Sequence, residues 1–199
     1  VERSTAGTPL LDVTVEWEYT TIPSSATRRF ACVSDQDEYN ELRQDVPATS
    51  TWFMAPRPGI DARRREAYEL LELTVDGRPQ PIRRSTRATG QTYSVDLDEE
   101  ARSGKPVRIR QVFRTITPQW SHRLYFAVAQ PTRGWSLRLD YTDTAIAEVQ
   151  VSDTMATTPA SGIIHSPEAV PGKEITVETS SWLLPQGVGK VGLGGVLGE

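Results

Sequence analysis

Arginine recurs at alternate positions through the middle of this 199-residue chain. Residues 105–117 set Arg108, Arg110 and Arg114 against Val107, Ile109 and Phe113. Residues 121–130 set Arg123 and Tyr125 against Leu124, Phe126 and Val128, and residues 134–142 set Arg138 and Asp140 against Trp135, Leu137, Leu139 and Tyr141. Side chains alternate across a strand, so this pattern predicts an antiparallel sheet with one apolar and one cationic face. Arg83 and Arg87 fall on the same side, where Glu72, Asp96 and Asp140 are the acidic residues expected, and Trp120 lies in a loop beside it.

Guanidinium groups make planar, two-pronged contacts to carboxylate or phosphate. With aromatic rings they form a platform for a nucleotide or a single-stranded nucleic acid. The sequence therefore nominates Arg83, Arg87, Arg108, Arg110, Arg114, Arg123, Arg138, Tyr125 and Trp120 as an anion-binding set. The plainer reading is a solvated sheet face, or one that the acidic flanks fold over. Charge distribution bears on both: residues 57–138 carry +7, while residues 1–56 carry −5 and residues 139–199 carry −6. A basic middle between acidic ends either neutralises internally or presents a patch to an anionic partner.

Other chemistry is sparse. Gly187-Val188-Gly189-Lys190-Val191-Gly192 lacks the earlier glycine and the following Ser or Thr of a phosphate loop, with Leu184 and Val191 in those places. No metal is expected, because His122 and His165 are far apart and the one cysteine cannot form a thiolate cluster. Asp140 and Asp143 at a strand end are the nearest approach to a hard-cation site. Ser121, His122 and Cys32 are the residues from which a nucleophile and base would be drawn, but no nucleophile elbow is present. No cofactor is expected either.

The elements that must carry these residues are mostly strands. Residues 11–20 alternate Val13, Val15, Trp17 and Tyr19 with polar partners, and residues 27–33 form a second strand. A helix is predicted over about 35–45, with Ser34 as cap, Asp37 in the capping-box position, Tyr39 and Leu42 inward and Pro47 past its end. Residues 51–55 read as a short apolar strand or buried loop. Residues 61–72 read as helix or strand; the favoured strand starts near Ala67, with Leu71, Leu73 and Val75 inward up to an Asp76-Gly77 hairpin turn. Residues 79–87 would return as an edge strand because of Pro79 and Pro81. Residues 91–97 put Tyr93, Val95 and Leu97 inward, and residues 98–104 fit one helical turn. Residues 145–151 and 173–179 supply two more strands around a long loop.

The count of nine or ten strands, one short helix and no strand–helix–strand alternation predicts a mainly β chain: an antiparallel sandwich or a closed barrel. The domain reading is a loose segment over 1–10, one β-rich domain over 11–186, and a flexible Gly-rich tail or linker over 187–199. The start at Val1 suggests a piece of a longer protein, and the single buried-type Cys32 points to a reducing, cytoplasmic setting. No run of about 18 apolar residues spans a membrane.

The functional expectation is a non-enzymatic recognition module, a binding module for a partner protein or for flanking domains of the same chain. It predicts an exposed aromatic patch near Trp52 and Phe53, or near Trp120, or around the 130–134 loop beside Trp135. The alternatives are a sensor for a nucleotide or other anion on the arginine face, and a hydrolase or transferase built on His122 or His165.

Overall fold

Period-two alternation turns into strand nearly everywhere in the chain. A computed structural model describes residues 2–5, 8–45, 48–99, 101–118, 123–127, 131–144, 146, 148–153, 162–165, 173–183 and 188–194. In chain order these hold β1 (Glu2–Thr5), β2 (Thr8–Thr21), β3 (Thr27–Val33), α1 (Gln36–Leu42), β4 (Thr49–Phe53), β5 (Tyr68–Val75), β6 (Arg78–Pro79), β7 (Arg83–Thr86), β8 (Gly90–Asp96), β9 (Val107–Pro118), β10 (Arg123–Ala127), β11 (Thr132–Asp140), β12 (Glu148–Asp153), β13 (Gly162–His165), β14 (Glu174–Leu183) and β15 (Val188–Gly194). The fold is mainly β and sandwich-like with one short helix, and the described strands close no barrel. The chain divides into two compact units, Arg3–Thr117 and Pro118–Glu199 with Val1–Glu2.

The unit Arg3–Thr117 holds a five-stranded sheet in the order β1-β2-β9-β5-β6 and a four-stranded sheet in the order β4-β3-β8-β7. Their apolar faces meet. Tyr68, Leu73, Ile109 and Phe113 from the first sheet and Phe30, Cys32, Tyr93 and Val95 from the second are all buried. Rings cross the layer: Tyr68 lies 6.1 Å from Tyr93, and Trp52 meets Phe113 edge-on at 6.0 Å, while Tyr68 and Phe113 lie 5.5 Å apart on neighbouring strands of one sheet. Each such side chain contributes roughly 1.5–3 kcal/mol of burial.

Several expectations change here. Residues 2–5 are an edge strand rather than a loose segment, and Leu10 and Leu11 of β2 are buried. The segment over 79–87 splits: β6 ends at Pro79 in one sheet, and β7 begins at Arg83 in the other, because prolines at 79 and 81 have no N–H to continue a ladder. The Asp76-Gly77 turn forms as predicted, with φ of 47° and 78° at its two central residues and Val75 opposite Arg78. Leu71 is not inward. A bulge between Leu70 and Glu72 leaves it 47% exposed and resets the alternation, so Tyr68, Leu70, Leu73 and Val75 share the buried face.

β3, α1 and β4 make a strand–helix–strand unit with parallel strands, Arg29 opposite Thr49 and Val33 opposite Phe53. The helix is capped by Asp35, whose carboxylate accepts from the Glu38 N–H at 2.9 Å, not by Ser34. Ser34 instead donates its hydroxyl to the Thr89 carbonyl at 2.9 Å. Tyr39 packs on Phe53 at 5.5 Å.

The unit Pro118–Glu199 holds two three-stranded sheets, β10-β15-β12 and β11-β14-β13. β15 is the largest correction. The glycine-rich stretch read as a tail is the central strand of its sheet, paired antiparallel with both β10 and β12. Its glycines at 189 and 192 stand by register opposite Phe126 and Arg123. In the other sheet Ile175, Val177 and Leu183 of β14 are buried. Among the described residues no helix is long and apolar enough to cross a membrane.

Candidate functional site

β9 shows why the arginines point as they do. Val107, Ile109, Gln111, Phe113 and Thr115 are buried, so Arg108, Arg110 and Arg114 must face outward. β9 lies between β2 and β5, and both neighbours put glutamates on that face. Arg108 meets Glu18 at 2.6 Å. Arg110 grips Glu16 with two prongs, at 2.7 and 2.9 Å, and reaches Glu72 on the other side at 2.9 Å. Arg114 meets Glu69 at 2.9 Å, and Glu69 also takes Arg65 at 3.3 Å. Among the described residues, Arg65, Arg108, Arg110 and Arg114 are thus each paired with a glutamate of β2 or β5, and the pairs form an ion-pair lattice.

The lattice leaves a mark on the acid–base behaviour. The hydrogen bond from Arg110 holds the Glu16 carboxyl below its ordinary value of 4.5, and the same contact with that to Glu72 pushes the Arg110 guanidinium up. The hydrogen bond to Glu18 pushes up Arg108. These groups are exposed, so solvent screens each pair and leaves it a small effect on stability.

The other nominated arginines lie elsewhere. Arg83 is on β7 of the four-stranded sheet and pairs with Asp96, which also accepts from the Thr27 hydroxyl at 2.9 Å. Arg87 donates to Glu38 of α1 at 2.5 Å, and the Thr89 hydroxyl donates to the second Glu38 oxygen. Burial pushes the Glu38 carboxyl up, but the hydrogen bonds from Thr89 and Arg87 outweigh it and hold the group below its ordinary value. Arg87 thus fastens the helix to the β7–β8 connection. Arg138 is on β11 and pairs with Glu174 of β14 at 2.7 Å. Arg123 and Tyr125 are on β10, placed by register opposite Gly192 and Lys190. Trp120 lies outside the described residues. The seven arginines therefore occupy or flank four sheets instead of one face.

Among the described residues the remaining chemistry does not assemble, and Ser121 lies outside them. Cys32 is fully buried, and burial pushes its thiol up to about 12, so it stays protonated and unreactive. Asp140 spends an oxygen on the Thr142 N–H at 3.0 Å, and that bond lowers its pKa. No group of three or more metal-ligating side chains occurs among the described residues. His122 lies outside them, and His165 sits on β13 opposite Ile175. Trp52 and Phe53, the expected exposed aromatic patch, are half-buried in ring contacts. Trp135 is half-buried on β11.

Two features escaped the sequence reading. Gln91 is fully buried, and its amide nitrogen donates to the carbonyls of Ala62 and Arg64 at 2.8 and 2.7 Å. Its oxygen accepts from Arg84 Nε at 2.8 Å. Trp182 is 59% exposed, opposite the exposed Arg133, past a register shift at Gly134, where φ is 70°. A glutamine between Gly90 and Thr92 at the start of an alternating strand and a tryptophan at a strand end look ordinary in sequence, and the register shift cancels the alternation that would have shown which way Trp182 faces. No family model, curated protein or solved structure matches this chain.

Proposed function

We propose that this chain is a non-enzymatic recognition module that binds a partner protein, with Trp182 as its anchor. The observation that supports this reading most is the exposure of Trp182 at 59%, beside Arg133 on the neighbouring strand. Tryptophan and arginine are the residues most enriched at binding hot spots, because a large ring buries much area and a guanidinium adds directional bonds. The internal neutralisation of the β9 arginines by Glu16, Glu18, Glu69 and Glu72 favours protein recognition over anion capture on that face. A reducing, cytoplasmic setting belongs to the same reading and draws support from the single, protonated Cys32.

A photoreactive aromatic amino acid at position 182, which keeps a ring where the tryptophan stood, tests it in extract from the source cells. The reading expects one discrete crosslinked protein, lost on competition with unlabelled wild-type chain but not with Trp182→Ala. The same probe at the exposed Glu178 of the same strand should give none. Equal crosslinking at 178 and 182, or equal competition by Trp182→Ala, would overturn it.

A second reading, an anion sensor, draws on one open depression where Arg29, Arg83 and Arg84 surround Ser85 and Ser94. Saturable binding of inorganic phosphate that Arg83→Gln removes would favour it.

A further inference from the structure

We propose that the outer edge of β7 accepts an extended acidic segment of a partner protein as an added strand. This is a different surface from that of Trp182, in the other unit. β7 ends its sheet, with β8 on one side only, and all four of its residues are exposed.

The hydrogen-bond phase says which backbone groups are offered. Arg87 N–H donates to the Gly90 carbonyl at 2.8 Å. In an antiparallel pair the residues facing the partner strand alternate, so Ser85 and Arg83, opposite Thr92 and Ser94, turn their backbone toward β8. The N–H and C=O groups of Arg84 and Thr86 point the other way. Among the described residues nothing bonds to them. Two donors and two acceptors at strand spacing form a template for one more strand.

The charge says which strand. Arg84 hydrogen-bonds only to neutral acceptors, Gln91 Oε1 at 2.8 Å and the Arg63 carbonyl at 2.5 Å, and no carboxylate reaches it among the described residues. Its side chain is therefore held in place with its charge uncompensated. Arg83 stands beside it, paired with an Asp96 that is itself exposed. Arginines on a short edge strand repel a second copy of the same edge, which guards against self-association. The same arginines attract a strand carrying glutamate or aspartate, and a fixed guanidinium gives a carboxylate a preorganised partner.

Titrating the full chain with a fluorescent octapeptide of alternating Glu and Val tests the proposal. We expect saturable binding that weakens with salt, no binding of the Lys–Val counterpart, and slowed amide exchange at Arg84 and Thr86. Arg84→Gln should weaken binding by about tenfold, the effect of one charge-assisted contact. Thr86→Pro removes an outward donor without costing a bond to β8, so it should keep the melting temperature and lose binding. Should that variant misfold, the Glu–Val peptide with alternate amides N-methylated decides on the wild-type chain: it must fail to bind. No saturable binding up to about 1 mM, or binding indifferent to N-methylation, would overturn the proposal.

Discussion

At the scale of single residues, Glu16 and Arg110 carry most of the argument. The alternation in residues 107–114 was enough to aim Arg108, Arg110 and Arg114 away from the core, and they do face outward. Their partners were not legible. Glu16 lies 94 positions from Arg110, Glu18 lies 90 from Arg108, and only the pairing of β2 with β9 brings them together. Sequence fixes which side of a strand a charge takes but says nothing of which strand lies beside it. Gly90 makes a different point about single positions. A methyl group there would overlap the Cys32 carbonyl and come within 2.7 Å of Val33 Cα, both backbone atoms that cannot yield. Gly90→Ala should therefore cost roughly 3 kcal/mol of stability by overpacking. A urea midpoint equal to wild type would show that β3 and β8 are not packed as described.

At the scale of elements, alternation found the long strands, and composition misplaced the glycine-rich one. Glycine has low strand propensity, so Val188–Gly194 reads as linker. Tertiary pairing on both sides overrides that preference. The parallel pairing of β3 with β4 was hidden for a related reason, since a seven-residue helix gives too little periodicity to announce a crossover. Bulges at Leu71 and Gly134 shift the face of every residue beyond them, which no fixed period anticipates. The placement of β15 can be checked directly. Deleting residues 188–199 takes away the strand that β10 and β12 share. Hydrogen exchange should then reach solvent rates across Arg123–Ala127 and Glu148–Asp153, while Tyr68–Val75 stays protected. Unchanged protection in β10 and β12 would contradict the sheet order.

For the molecule as a whole, the uneven charge along the chain resolves in part by folding. The acidic β2 lies against the basic β9, so segments of opposite sign neutralise each other within one sheet. Glu16, Glu38, Asp61, Asp96 and Asp140 all have carboxyls held below their ordinary values in the folded state. A depressed folded pKa means that these groups contribute stability above the ordinary carboxyl range, and the contribution is lost as pH falls through it toward the lower folded values. Urea midpoints should hold steady near neutrality and drop below about pH 5, and Glu38→Gln should make that drop shallower.

The glutamates of β2 and β5 hold the β9 arginines in ion pairs, which under the proposed function leaves recognition to other surfaces. Carbon-detected NMR titration of the Glu16 carboxyl, at low salt and in both wild type and Arg110→Gln, tests it most directly. With the pair in place, Glu16 should titrate below 4.5, and its midpoint should rise when Arg110 is replaced. A midpoint at the ordinary value that ignores the substitution would leave those arginines free and return the anion-binding face to first place.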